Sequence, residues 1–148
     1  MEEDLGFELY DYIHTVFNIV EVDIQTYSPL NLAYIGDCVY DLVIKSIVLG
    51  GGNRQVQKLH QDTSKLVQAS TQSKMMRTMQ EVLTEEELKV YKRGRNTKTV
   101  SPAKNQSLTD YRRATGFESL IGYLYLKKEW KRMIDLIKIG LNSLEVGY

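Results

Sequence analysis

Residues 28–52, SPLNLAYIGDCVYDLVIKSIVLGGG, decide how the chain reads. Ser28 supplies a side-chain oxygen for the first free amides of a helix, and Pro29 suits the first helical position. Apolar residues then run on to a stop at Gly50-Gly51-Gly52, where a glycine can take the left-handed conformation that ends helices. Asp37, Asp41 and Lys45 interrupt the stretch, so no run of eighteen apolar residues exists and no membrane span is expected.

Outward from this helix the period stays close to 3.6. Upstream, Leu5, Leu9, Tyr12, Ile13, Val16 and Phe17 fall on one stripe, which predicts an N-terminal helix. Downstream, Val56, Leu59, Thr63 and Leu66 predict a third helix. Met75, Met76, Met79 and Val82 predict a fourth, starting near Ser70 or Thr71. Thr84 and Glu87 form a capping box for a short fifth helix carrying Leu88 and Tyr91. Ala114, Phe117, Leu120, Ile121 and Leu124 mark a sixth, and Trp130, Met133, Ile134, Ile137, Leu141 and Leu144 a last. No segment alternates with period two. The expected fold class is all-α, in one compact domain of about seven helices.

Between the fifth and sixth helices, residues 93–108 (RGRNTKTVSPAKNQSL) carry no apolar period. They predict a loop of roughly fifteen residues, and loops of that length in compact domains are usually functional or disordered. The chain has 148 residues, 43% of them apolar, and two prolines, which fits one core and gives no sign of a repeat. The acidic N-terminus lacks a secretory pattern, and a single cysteine, Cys38, cannot form an internal disulfide; a cytoplasmic location is expected.

Net charge is zero, but charge is segregated. Residues 1–25 carry seven acidic side chains and no Lys or Arg. Residues 91–115 carry Lys92, Arg93, Arg95, Lys98, Lys104, Arg112 and Arg113 against Asp110 alone. A polyanion responds to the local field rather than to the sum. With Asn96 and neighbouring hydroxyls these cations form a phosphate- and sugar-binding inventory, lacking the aromatic pairs that stack unpaired bases. Duplex RNA, read by shape through phosphates and 2′-hydroxyls, is the matching ligand. His60 and Lys65 on the third helix are further candidate RNA contacts, although an ordinary amphipathic helix explains them as well.

Gly36 and Gly122 sit inside helices, each at a cost of ~1 kcal/mol relative to alanine. Such glycines often mark a close backbone approach, and each lies near a carboxylate, Asp37 and Glu118. Spacing supports two readings. The carboxylates converge on a shared magnesium ion, which tolerates as few as one or two protein carboxylates beside substrate phosphates. Alternatively, Asp37, Asp41 and Lys45 are a solvated stripe and Glu118 an exposed helix residue. No Cys or second His stands at zinc-ligand spacing from His14 or His60, and no phosphate-loop motif follows the triple glycine.

LAYIGDCVYDLVI (32–44) resembles the signature helix of the ribonuclease III family, and FESLIGYLYL (117–126) its second carboxylate helix. KRGRNTKT (92–99), YRRATGFESLIGYLYL (111–126) and HQDTSKLVQASTQ (60–72) resemble the mini-ribonuclease III branch, a catalytic domain without an attached RNA-binding domain. The resemblance spans roughly residues 29–128, and three separated motifs in order make it specific. It implies a catalytic domain over 28–148 behind an N-terminal helical extension, 1–27. It also implies a homodimeric endoribonuclease for double-stranded RNA, with Asp37 and Glu118 as catalytic and metal-binding residues. Magnesium is the implied ion, with manganese able to substitute, and the paired termini of precursor large-subunit ribosomal RNA are the implied substrate. Ala33 and Thr115 stand where larger family members carry two further acids. The rival expectation is a non-cutting binder of structured RNA or ribosomal particles on the same fold.

Overall fold

The computed structural model describes residues 7–97 and 107–144. Ser28 caps α2 as expected, its hydroxyl accepting the Asn31 amide at 3.2 Å, and α2 runs Pro29–Leu49. Seven α-helices and no strand appear among the described residues: α1 (Phe7–Val16), α2, α3 (Val56–Val67), α4 (Ala69–Met79), α5 (Glu85–Arg95), α6 (Leu108–Leu126) and α7 (Trp130–Asn142). The all-α expectation is met. No helix among these residues is long and apolar enough to cross a membrane.

The hub is α6, packed by α2, α5, α4 and α7. Nearly every residue from Ala114 to Leu124 is buried, as befits a central helix. Phe117, Leu120, Ile121 and Leu124 are fully buried, joined by Ile44 of α2, Met75, Met76 and Met79 of α4, and Met133 and Leu136 of α7. Each such side chain contributes about 1.5–3 kcal/mol relative to exposure. Tyr40 is the polar exception on α2: its hydroxyl donates to Leu66 O at 2.8 Å, and its ring meets Phe117 edge-on at 4.9 Å.

The capping box on α5 is complete, with Thr84 Oγ1 accepting the Glu87 amide and Glu87 accepting the Thr84 amide. Glu87 is 5% exposed and receives Arg132 of α7 through two nitrogens, at 2.8 and 2.9 Å. That fork holds its carboxyl below the usual range.

Several details depart from the sequence reading. The apolar face of α1 points to solvent: Leu9, Tyr12 and Phe17 are 64%, 70% and 72% exposed. The opposite face docks instead, because Tyr10 meets Tyr125 edge-on at 5.3 Å and Asp11 pairs with Lys128 at 2.7 Å. Val82 is also exposed, since α4 ends at Met79 and tightens into a 3₁₀ turn (Gln80–Val82) that rotates it outward; Ile134 of α7 is exposed as well. Finally, α5 continues to Arg95 and α6 begins at Leu108, so Arg93 and Arg95 are helical, and most of the loop expected over 93–108 lies outside the described residues. Arg112 and Arg113 therefore lie within α6 rather than ahead of it.

Candidate active site

Helices α2 and α6 cross at their glycines. A Cβ on Gly36 would overlap the Glu118 carbonyl oxygen and lie 2.8 Å from Gly122 N; a Cβ on Gly122 would overlap the Leu32 carbonyl. Only glycine permits backbones this close. Ser119 pins the crossing, its hydroxyl lying 2.8 Å from Pro29 O.

The crossing sets Asp37 and Glu118 side by side, with their carboxyl groups in hydrogen-bonding reach of each other. Asp37 is exposed and Glu118 lies deeper. Burial first, then the hydrogen bond and charge of Asp37, push the Glu118 carboxyl up to about 8, while the Gln72 amide opposes them. A pair of hard oxygen donors, one strained by its neighbour's charge, suits a small divalent cation that relieves both. No group of three or more His, Cys, Asp or Glu able to hold a metal occurs among the described residues. Magnesium is the cation whose demands such a sparse set meets. Ala33 and Thr115 add no donor: both are buried, and Thr115 spends its hydroxyl on Tyr111 O at 3.0 Å. Asp41 and Lys45 form a surface pair at 3.0 Å and Asp37 is exposed on the same stripe, whereas Glu118 is partly buried rather than exposed.

The raised Glu118 value fixes a sign. In metal-free protein the folded state retains a proton that the unfolded chain, near pKa 4.3, releases earlier. Its stabilising contribution is complete below that pH and is lost as pH rises to about 8. Thermal melts in chelator should fall over that window, by up to about 1.4 kcal/mol per pH unit, and Glu118→Gln should flatten the slope.

The basic C-terminal end of α5 packs closely on α6. A Cβ on Gly94 would come 2.9 Å from Gly116 Cα, and one on Gly116 would meet the Tyr91 ring at 2.7 Å. Lys92, Arg93 and Asn96 are exposed at the end of α5, where cations also complement the helix dipole. Arg95 lies 5.7 Å from the Tyr91 ring centroid, and its Nε donates to Asn96 Oδ1 at 3.2 Å. Arg112 and Arg113 precede Glu118 on α6 by roughly 8–9 Å of helix rise. His60 and Lys65 are exposed on α3, which packs mainly on α2 and α4 and so stands apart from the α5–α6 cations. Lys98 and Lys104 lie outside the described residues.

Gln72 is the site neighbour that sequence reading missed. It is 1% exposed on the inward stripe of α4, one turn before Met75 and Met76. A polar residue in register with buried methionines was the available signal. Gly94 and Gly116, a second close glycine contact, were missed likewise.

Comparison with known proteins gives a consistent result. Residues 30–129 match the Ribonuclease III domain family. A Mini-ribonuclease 3 from Clostridium tetani (strain Massachusetts / E88) is 48% identical over 124 residues, which is 83% of this chain and 82% of that protein. A Mini-ribonuclease 3 from Thermoanaerobacter sp. (strain X514) is 40% identical over 118 residues, 80% of this chain and 83% of its own length. The crystal structure of a Fusobacterium nucleatum protein superposes with a TM-score of 0.75 at 30% identity, covering 80% of this chain and 97% of that one.

Proposed function

From the premise that this chain belongs to the ribonuclease III family and is an endoribonuclease, we propose that it cuts double-stranded RNA with magnesium held between Asp37 and Glu118. The observation that carries the reading is the α2–α6 crossing at Gly36 and Gly122, which puts Asp37 and Glu118 within reach of each other. Asp37 and Glu118 would hold the magnesium ion, or manganese in its place, which would supply phosphoryl polarisation and a water-derived nucleophile for in-line displacement. Asp37 and Glu118 provide the anionic oxygens, and the α2–α6 crossing holds their spacing. Incubation with a long RNA duplex, with and without magnesium, tests the reading. Cuts on both strands should appear only with the ion.

Lys92, Arg93, Arg95, Asn96, Arg112 and Arg113 form the duplex-binding surface in this reading, with Lys98 and Lys104 between them in sequence and His60 and Lys65 as outlying contacts. Their work is electrostatic. Duplex affinity should fall steeply with salt, and Arg93→Ala or Arg112→Ala should each make the logarithmic salt slope shallower by about one. Filter binding across a salt series measures it.

The active unit is a homodimer in which each subunit cuts one strand. Leu30, Tyr34 and Leu42 are 46%, 80% and 56% exposed at four- and eight-residue spacing along α2, an apolar stripe suited to a second copy. Leu42→Asp should yield a monomer by sedimentation equilibrium without loss of helical content, since Leu42 contributes little to the subunit core. Residues 28–148 make the catalytic domain and 1–27 an appended extension, in keeping with the sparse attachment of α1. The substrate proposed is precursor large-subunit ribosomal RNA at its paired termini, and the location cytoplasmic. Both rest on similarity to the mini-ribonucleases.

A further inference from the structure

We infer that Gln72 is a positioning residue for the metal site, its buried amide holding one oxygen of Glu118 so that the other faces Asp37 and the ion. The inference rests on the reading that Asp37 and Glu118 share a cation.

Gln72 is the largest of three buried polar side chains on α4, with Thr71 and Ser73. Met75, Met76 and Met79 on the same stripe are fully buried, and Gln72 is 1% exposed among them. A methionine there would fill similar space without removing an amide from water. Leaving such an amide unsatisfied destabilises the fold. Yet Gln72 Nε2 completes no hydrogen bond among the described residues. The group it faces is the Glu118 carboxyl, close enough to oppose the effects of burial and of Asp37, but short of full hydrogen-bond geometry.

A buried donor aimed at a carboxylate and not yet bonded to it has a specific use. A carboxylate has two oxygens and about four acceptor sites, so one oxygen can take an N–H while the other takes a cation. An amide suits this position because it adds no charge to repel the ion. Outer-shell donors of this kind fix the orientation of metal-binding carboxylates, and losing one typically costs 10–100-fold in metal affinity or activity. Glu118 has particular need of one, because the α2–α6 crossing constrains its backbone but leaves its side-chain torsions free. The amide of α4 removes that freedom from the third side.

The test compares manganese affinity by titration calorimetry for the wild-type protein, Gln72→Met and Glu118→Gln, with a metal-free melting curve for each. Gln72→Met should melt no lower than wild type without metal and bind manganese about 10–100-fold more weakly. Its kcat should fall, with duplex affinity in chelator unchanged. Wild-type manganese affinity in Gln72→Met, alongside loss in Glu118→Gln, overturns the inference and leaves the metal site standing. Equal affinity in wild type and Glu118→Gln overturns the metal-site reading itself. A measurement on the unaltered protein covers the case in which Gln72→Met fails to fold. The side-chain NH₂ resonances of Gln72 should gain hydrogen-exchange protection as magnesium is added, and unchanged protection rejects the role.

Discussion

Asp37→Asn will lower the rate of duplex cleavage by about a thousandfold or more while duplex affinity, measured in chelator, stays within a factor of two or so. The substitution keeps size and shape but removes the charge that, with Glu118, draws the cation. A metal contributes several kcal/mol to stabilising a phosphoryl transition state, and about 4 kcal/mol corresponds to three decades of rate. Asp37 is exposed and donates nothing to the core, so the fold should tolerate the change. Single-turnover cleavage paired with equilibrium binding separates the two effects. Comparable loss of binding would mean that Asp37 acts in docking rather than in chemistry.

Gly36→Ala is expected to be the most damaging single-methyl substitution in the chain. The added Cβ would run into the Glu118 carbonyl, with Gly122 N 2.8 Å away, and both obstacles are backbone of a central helix. Neither can turn aside as a side chain would. The helices must separate, and overpacking of this kind costs about 3 kcal/mol or more. For a chain of this size that is roughly 10 °C in Tm. Gly51→Ala is the control: its Cβ would meet only Val48 O, at 3.7 Å, and stability should change by no more than about 0.5 kcal/mol. Because Gly36 also sets the Asp37–Glu118 spacing, any folded Gly36→Ala protein should cleave poorly even at low temperature.

These glycines show what was legible in the sequence. A glycine inside an otherwise good helix is an anomaly with a stated cost, so Gly36 and Gly122 advertised a crossing, and the crossing is present. Ser28, Pro29 and the Thr84–Glu87 box were equally readable, because caps act through neighbours a few residues away. Burial depends on partners that a period does not name. The stripe of α1 has the spacing of a core face, yet Tyr10 and Asp11 on the other side found their partners first, in Tyr125 and Lys128. Gln72 escaped for a related reason: a search for apolar periodicity skips the polar residues within it. The basic charge of α5 and α6 was visible, but the Gly94–Gly116 contact and the bonds from Tyr123 and Lys127 to Glu86 that help hold those helices together were not.

The account turns on whether Asp37 and Glu118 share one divalent ion. Crystals grown with manganese, measured at wavelengths on either side of its absorption edge, test this most directly. A single anomalous peak about 2.0–2.3 Å from an oxygen of each residue is the predicted result. A peak bound to only one of them, or none near either at saturating manganese, would contradict it.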